Sequence, residues 1–220
     1  GIIIGMKFIK DLQALKAVPF THATLKSILS KYKNPNDKIQ QMVRAGEIIR
    51  IKRSLYVLGE IYNQASVSKE LLANLIYGPS YVSLDYALSY YNLIPERVFE
   101  ITSVTTKIAK NHHTPLGRFS YIKSPNCIYA KAIKIKTNSD GVSYMLASPE
   151  KALCDKILLT QNLKITSIKA MIEYLEYDLR IDFYGLVKFD LELIKQCMGC
   201  NYKVKLLDFL YKALQKIRIN

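Results

Sequence analysis

Hydrophobic positions in the first quarter of the chain follow a helical period and then switch to a strand-like one. Met6, Ile9, Leu12 and Leu15 are spaced three apart, which predicts a helix over residues 6–17 that Pro19 stops. Thr21 can cap a second helix, whose apolar set is Ala23, Leu25, Ile28, Leu29 and Tyr32. Lys33-Asn34-Pro35-Asn36 breaks it and starts a third helix over residues 35–45, with Ile39, Met42 and Val43 on one face. Gly46 suits the position just past that helix, where a left-handed backbone costs glycine little. Residues 47–52 and 55–58 then read as two short strands, with Ile48, Ile51, Leu55 and Val57 available to pack.

After a polar linker over residues 61–68, helices are predicted over residues 69–77 and 83–91, separated by the Gly78-Pro79 break. Strand-rich segments follow over residues 98–105, 117–123, 128–136 and 142–147. Lys131, Lys134 and Lys136 interleave with apolar residues as in a sheet edge guarded by charge. The remainder is helical over residues 148–161, 167–177, 191–198 and 202–217. The expected fold class is therefore α+β. A winged helix-turn-helix domain (residues 6–60) precedes a mixed domain (66–220) with a small sheet and a helical C-terminal half.

Composition adds charge to this picture. The chain has 220 residues, 50% of them hydrophobic, which is ample for packed cores. Its net charge is +14, and residues 1–60 carry half of it, with 11 Lys and Arg against 4 Asp and Glu. So dense a positive field favours polyanions. No run of about 18 apolar residues lacks charges, so no membrane span is expected. The Gly1–Gly5 segment before Met6 is too short for a signal-peptide core. Four cysteines are too few for a disulfide scaffold at this size, and a reduced, cytoplasmic protein is expected.

Charge and pattern converge on residues 35–58. On a helical wheel Asp37, Gln41 and Arg44 point away from the apolar face of the third helix, with Lys38 and Gln40 on its flanks. Gln and Arg are the side chains that pair bidentately with adenine and guanine edges. Arg50, Lys52 and Arg53 gather at and before the turn between the two strands, where a wing would meet phosphates. The expected DNA contacts are therefore Lys38, Gln40, Gln41, Arg44, Arg50, Lys52 and Arg53. The competing reading is a basic surface that meets an acidic protein or RNA.

Several segments together resemble the AbiEi family. Gly46 to Leu58 resembles that family's wing, although Ser54 stands where the family commonly has glycine. Tyr81-Val82-Ser83-Leu84 with Ala87-Leu88 looks like its second signature. Ile101 to Thr105 and Leu116-Gly117-Arg118-Phe119 fall in the order of its middle strands. Ala147-Ser148-Pro149-Glu150-Lys151-Ala152-Leu153, followed by Asp155, matches its most recognisable helix start. The resemblance spans roughly residues 6–160. It implies an antitoxin of a type IV toxin–antitoxin system whose winged helix binds operator repeats in double-stranded DNA and represses its own operon. The functional partner would be a nucleotidyltransferase-like toxin, countered without a stable complex. The alternatives are a DNA-binding regulator with no toxin partner or a nucleic-acid-processing enzyme.

Other motifs carry less. Ser148-Pro149-Glu150 suits a helix start, with Ser as cap, Pro at the first position and Glu at the positive end of the dipole. Asp155, four residues from Lys151, suits an ion pair or a functional acid. Cys197-Met198-Gly199-Cys200 lacks the further ligands of a zinc site and the strand-then-helix setting of a redox motif. His112-His113 falls in a polar loop over residues 110–115, and His22 near a helix start could donate to a phosphate. Asp85, Glu100 and Lys107 lack the spacing of a nuclease, and Gly78-Pro79-Ser80 with Asp85 lacks that of a nucleotidyltransferase. No nucleotide-binding glycine loop or nucleophile elbow is present, so no enzyme, catalytic residue, cofactor or metal is expected.

Overall fold

The computed structural model describes residues 18–62 and 67–219, so the helix expected over residues 6–17 lies outside the described residues. The chain is α+β, with two separate sheets. The first sheet is three-stranded, in the order β1-β3-β2, from β1 (Phe20–Thr21), β2 (Ile48–Lys52) and β3 (Leu55–Leu58). Between β1 and β2 run α1 (His22–Ile28) and α2 (Pro35–Arg44). Thr21 caps α1 by accepting from the Thr24 amide, and Pro35 opens α2, as the turn chemistry predicts.

Phe20, Leu25, Leu29, Ile39, Met42, Ile48, Tyr56 and Leu58 bury a small core between these helices and the sheet. The four residues of β3 are all buried, because the strand has cores on both faces. Tyr56 and Leu58 face the small core, while Leu55 and Val57 join the large core of the rest of the chain. Ile51, on the same strand face as Ile49, joins that large core too. The hairpin is thus shared between two hydrophobic clusters.

The second sheet has six strands in the order β6-β7-β5-β4-β9-β8. These are β4 (Ser80–Val82), β5 (Ile101–Thr105), β6 (Lys110–Thr114), β7 (Gly117–Lys123), β8 (Ile133–Thr137) and β9 (Ser143–Ala147). The β5–β7 and β4–β9 pairs are parallel and the others antiparallel. α3 (Lys69–Ile76) and α4 (Leu84–Tyr90) flank β4, and α5 (Asn126–Tyr129) precedes β8. The helical half comprises α6 (Pro149–Leu159), α7 (Ile168–Glu173) running into a π-helical turn (Tyr174–Asp178), α8 (Phe183–Val187), α9 (Leu191–Met198) and α10 (Val204–Ile219).

Several sequence expectations change. Residues 110–114, expected as a loop, form the edge strand β6, whose polar residues pair with β7 in the register His112↔Phe119 and Thr114↔Gly117. An edge strand with one solvated face needs few apolar residues, so periodicity does not show it. Residues 126–129 are helical, where a strand was expected from Ile128 onward. The short β4 and α8 were not anticipated. β8 lies at a sheet edge with Lys134 exposed, as the lysine pattern suggested.

Candidate nucleic-acid interface

The outer face of α2 and the β2–β3 hairpin are held together at one point. Gly46 adopts φ +71° after α2, and the Gly59 amide donates to the Glu47 carbonyl at 2.9 Å. A Cβ at Gly59 would lie 1.9 Å from the Gly46 carbonyl oxygen, so this approach of the hairpin exit to the helix end admits only glycine at that position. The contact joins the end of α2 that carries Arg44 to the strands that carry Arg50.

Gln40, Gln41, Arg44, Arg50 and Arg53 are all exposed, and no carboxylate of the described residues pairs with the three arginines. Arg50 shares a strand face with Ile48, which is buried against α2, so its guanidinium extends from the edge of the helical layer. Lys38 is half-buried. Its ammonium donates to Gln41 Oε1 at 3.3 Å and lies 6.0 Å from the centre of the Tyr32 ring. At the tip, Ser54 takes φ 67°, the left-handed conformation that glycine adopts more cheaply, and its carbonyl accepts from the His22 amide at 3.2 Å. His22 is held on both ring nitrogens, by Asn36 Oδ1 at 3.1 Å and by the Tyr56 hydroxyl at 3.4 Å. It therefore positions α1, α2 and β3 against one another, and both of the nitrogens that could reach a phosphate are engaged.

Lys52 turns the other way. Its ammonium donates to the carbonyls of Leu75 at 3.1 Å and Ile76 at 2.5 Å, where α3 ends. A cation there meets the orphan carbonyls and the negative end of the helix dipole. Lys107 joins it by donating to the Gly78 carbonyl at 2.5 Å, and Lys107 and Lys110 lie 5.3 and 5.8 Å from the Tyr77 ring centre. Burial, then the nearby Lys107 and Lys110 charges, hold the Lys52 ammonium below its usual range. Lys52, expected at a phosphate, thus makes a contact with the second sheet's flanking helix. Sequence alone hides this, because its partners lie 23 and 24 residues further on.

His112 sits beside the same cluster, with its ring 5.7 Å from that of Tyr77 and 5.8 Å from that of Tyr121. Its Nε2 is buried without a partner. Burial first, then Lys110 and Lys52, push its pKa down.

The other candidate groups are engaged elsewhere. Asp155 is wholly buried. It accepts from Tyr81 at 2.9 Å and Ser83 at 2.8 Å on one oxygen, and from Lys151 at 2.5 Å on the other. Burial pushes its carboxyl up, and Lys151, Ser83 and Tyr81 pull it back. The Tyr81 hydroxyl is pushed up by burial and by Asp155. This sealed group ties β4 to α6, which favours the structural reading of Asp155. Ser148 caps α6 through the Lys151 amide, with Pro149 and Glu150 in the first turn. Asp85 pairs with Lys156 and Lys107 binds a carbonyl, so these two of the loosely spaced Asp85, Glu100 and Lys107 have separate commitments.

Among the described residues no group of three or more His, Cys, Asp or Glu is placed to hold a metal ion, and no helix is long and apolar enough to cross a membrane. No protein-family model matches this chain, and no curated protein matches it.

Proposed function

We propose that residues 18–60 are a winged helix that grips operator DNA, and that the protein is a cytoplasmic transcriptional repressor acting as a type IV antitoxin. The observation that carries the DNA reading is the trio Arg44, Arg50 and Arg53. The three are exposed and unpaired by any carboxylate of the described residues, on a helix and hairpin locked together at Gly46 and Gly59. In this reading α2 enters the major groove with Gln40, Gln41 and Arg44 toward base edges. Lys38, Arg50 and Arg53 meet phosphates, while Lys52 holds the hairpin to the rest of the protein. The antitoxin role rests on the resemblance of Tyr81 to Leu84 and Ala147 to Asp155 to AbiEi signatures. Tyr81, Ser83, Lys151 and Asp155, all from those segments, converge in one buried network.

Fluorescence anisotropy with the chain's own upstream region and with random DNA of equal length tests the first claim. Preference for the upstream region supports it, and equal affinity for both sinks it. Co-expression with the product of the adjacent gene tests the second. Rescue from a nucleotidyltransferase-like toxin supports the antitoxin role, and operator binding without rescue leaves a DNA-binding regulator alone.

A further inference from the structure

All four cysteines of the chain fall into two neighbouring pairs. Cys154 in α6 and Cys197 in α9 are buried, and each bears on the other's titration. Three residues beyond Cys197, past the end of α9, Cys200 is half-buried, and the exposed Cys127 of α5 lies beside it. The Cys127 thiol donates to the Cys200 backbone carbonyl at 4.0 Å, which sets the exposed sulfur against the Cys200 residue. The Lys131 charge, two residues past the end of α5, bears on both Cys200 and Cys197. The outer pair thus couples one accessible sulfur with one sheltered sulfur, and the inner pair is shielded.

We propose that Cys127 and Cys200 form a reversible oxidation site, closed by hydrogen peroxide into a disulfide that ties α5 to the α9–α10 junction. The exposed sulfur is the one a peroxide can reach, and thiolates at exposed positions are oxidised first. The Cys127 thiolate attacks one peroxide oxygen and the O–O bond breaks. That oxygen stays on sulfur as a sulfenic acid, and the other leaves as hydroxide and takes up the proton lost from Cys127, giving water. The Cys200 thiolate then attacks the Cys127 sulfur, displacing hydroxide, which leaves as a second water with the Cys200 proton. Two thiols and one peroxide become one disulfide and two waters. Burial and the neighbouring Cys127 hold the Cys200 thiol above its usual range. Cys154 and Cys197, 0% and 1% exposed, are out of the oxidant's reach. A link between positions 127 and 200 closes a long loop, which raises stability by restricting the unfolded chain.

The full reduced chain is treated with stoichiometric hydrogen peroxide, blocked with iodoacetamide, digested with trypsin and sequenced by mass spectrometry. Cleavage places Cys127 on a peptide ending at Lys131, and Cys197 and Cys200 together on one ending at Lys203. The expected product joins these two peptides through Cys127 and Cys200, with Cys197 unlinked. The intact mass falls by two hydrogens, the melting temperature rises by several degrees, and dithiothreitol reverses both changes. Cys127→Ser and Cys200→Ser lose the product and Cys197→Ser keeps it. A Cys197–Cys200 link, a link between chains, or Cys127 oxidised further with Cys200 still free overturns the proposal. The wild-type peptide map gives this answer even where a serine variant fails to fold.

Discussion

Gly59 approaches Gly46 so closely that the β-carbon of any other residue at Gly59 would overlap the Gly46 carbonyl, 1.9 Å away. The obstacle is backbone, which cannot swing aside as a flexible side chain would. Gly59→Ala must therefore separate the hairpin from the end of α2, at a cost of about 1–3 kcal/mol typical of forced overpacking. Urea denaturation measures that loss. If the DNA reading is right, affinity for the upstream region falls as well, although no side chain assigned to DNA has been changed.

Ser54 holds a left-handed backbone at the tip of the hairpin, with φ 67°. A non-glycine residue there carries a steric cost of about 1–2 kcal/mol, part of which glycine returns as extra freedom in the unfolded chain. Ser54→Gly is expected to stabilise the protein by about 0.5–1 kcal/mol and to leave DNA affinity unchanged. Ser54→Val, a β-branched residue at the same angle, is expected to destabilise it. Thermal melts of the two variants should move in opposite directions, and a common direction would contradict the argument.

Lys52 and Arg53 are neighbours with different work. Lys52→Met removes an ammonium from the carbonyls that end α3 and costs about 1–2 kcal/mol of stability. The salt dependence of DNA binding is expected to stay as it was. Arg53→Ala is expected to leave stability within about 0.5 kcal/mol and, under the proposed function, to lower the salt slope by roughly one, because the phosphate contact proposed for it would be lost. Arg44→Ala is expected to cost about 1–3 kcal/mol on the upstream site and little on random DNA. Binding isotherms over a range of salt concentrations separate the three.

The buried pair of Lys151 and Asp155 is sensitive to loss of one partner. Asp155→Ala strands an ammonium that is 0% exposed and is expected to cost about 3–5 kcal/mol. The double change Lys151→Met with Asp155→Leu leaves no orphan charge and is expected to recover much of that loss. If the double variant is no more stable than Asp155→Ala, measured by denaturant titration, the penalty does not come from the unpaired charge.

His112 supplies a pH dependence. Its folded-state pKa lies below the ordinary 6.5 because burial, Lys110 and Lys52 all disfavour the imidazolium. The unfolded chain therefore takes up a proton before the folded one does. The stabilisation is complete above about pH 6.5 and is lost as pH falls from there through the folded pKa. His112→Phe keeps a ring against Tyr77 and Tyr121 but cannot titrate. Its stability is expected to fall less than the wild type's between about pH 7.5 and pH 5, as read from urea midpoints.

Legibility followed sequence separation. The cap at Thr21, Pro35 opening α2, the turn at Gly46 and the Ser148-Pro149 start of α6 involve partners within a few residues, and the sequence shows them. The exposure of Gln40, Gln41 and Arg44 followed from the helical period of Ile39 and Met42. The partners of Lys52, the strand at His112 and the Tyr81–Asp155 network could not be read this way. Asp155 lies 74 residues from Tyr81, and no local pattern announces a hydrogen bond across that distance.

What the sequence determined by itself was the succession of two helices and two strands between residues 22 and 58 and the basic chemistry they carry. Both arise from periodicity and charge within a few turns of chain. Tertiary structure decided which cations remain free. Once Leu55, Val57 and Ile51 pack into the large core, the hairpin is drawn against α3, and Lys52 meets its terminal carbonyls while Arg50 and Arg53 stay in solvent. Burial of apolar surface chooses that docking, and the docking sets the direction of each charge. The same folding brings Cys127 to Cys200 across 73 residues, a proximity that cysteine spacing could not reveal.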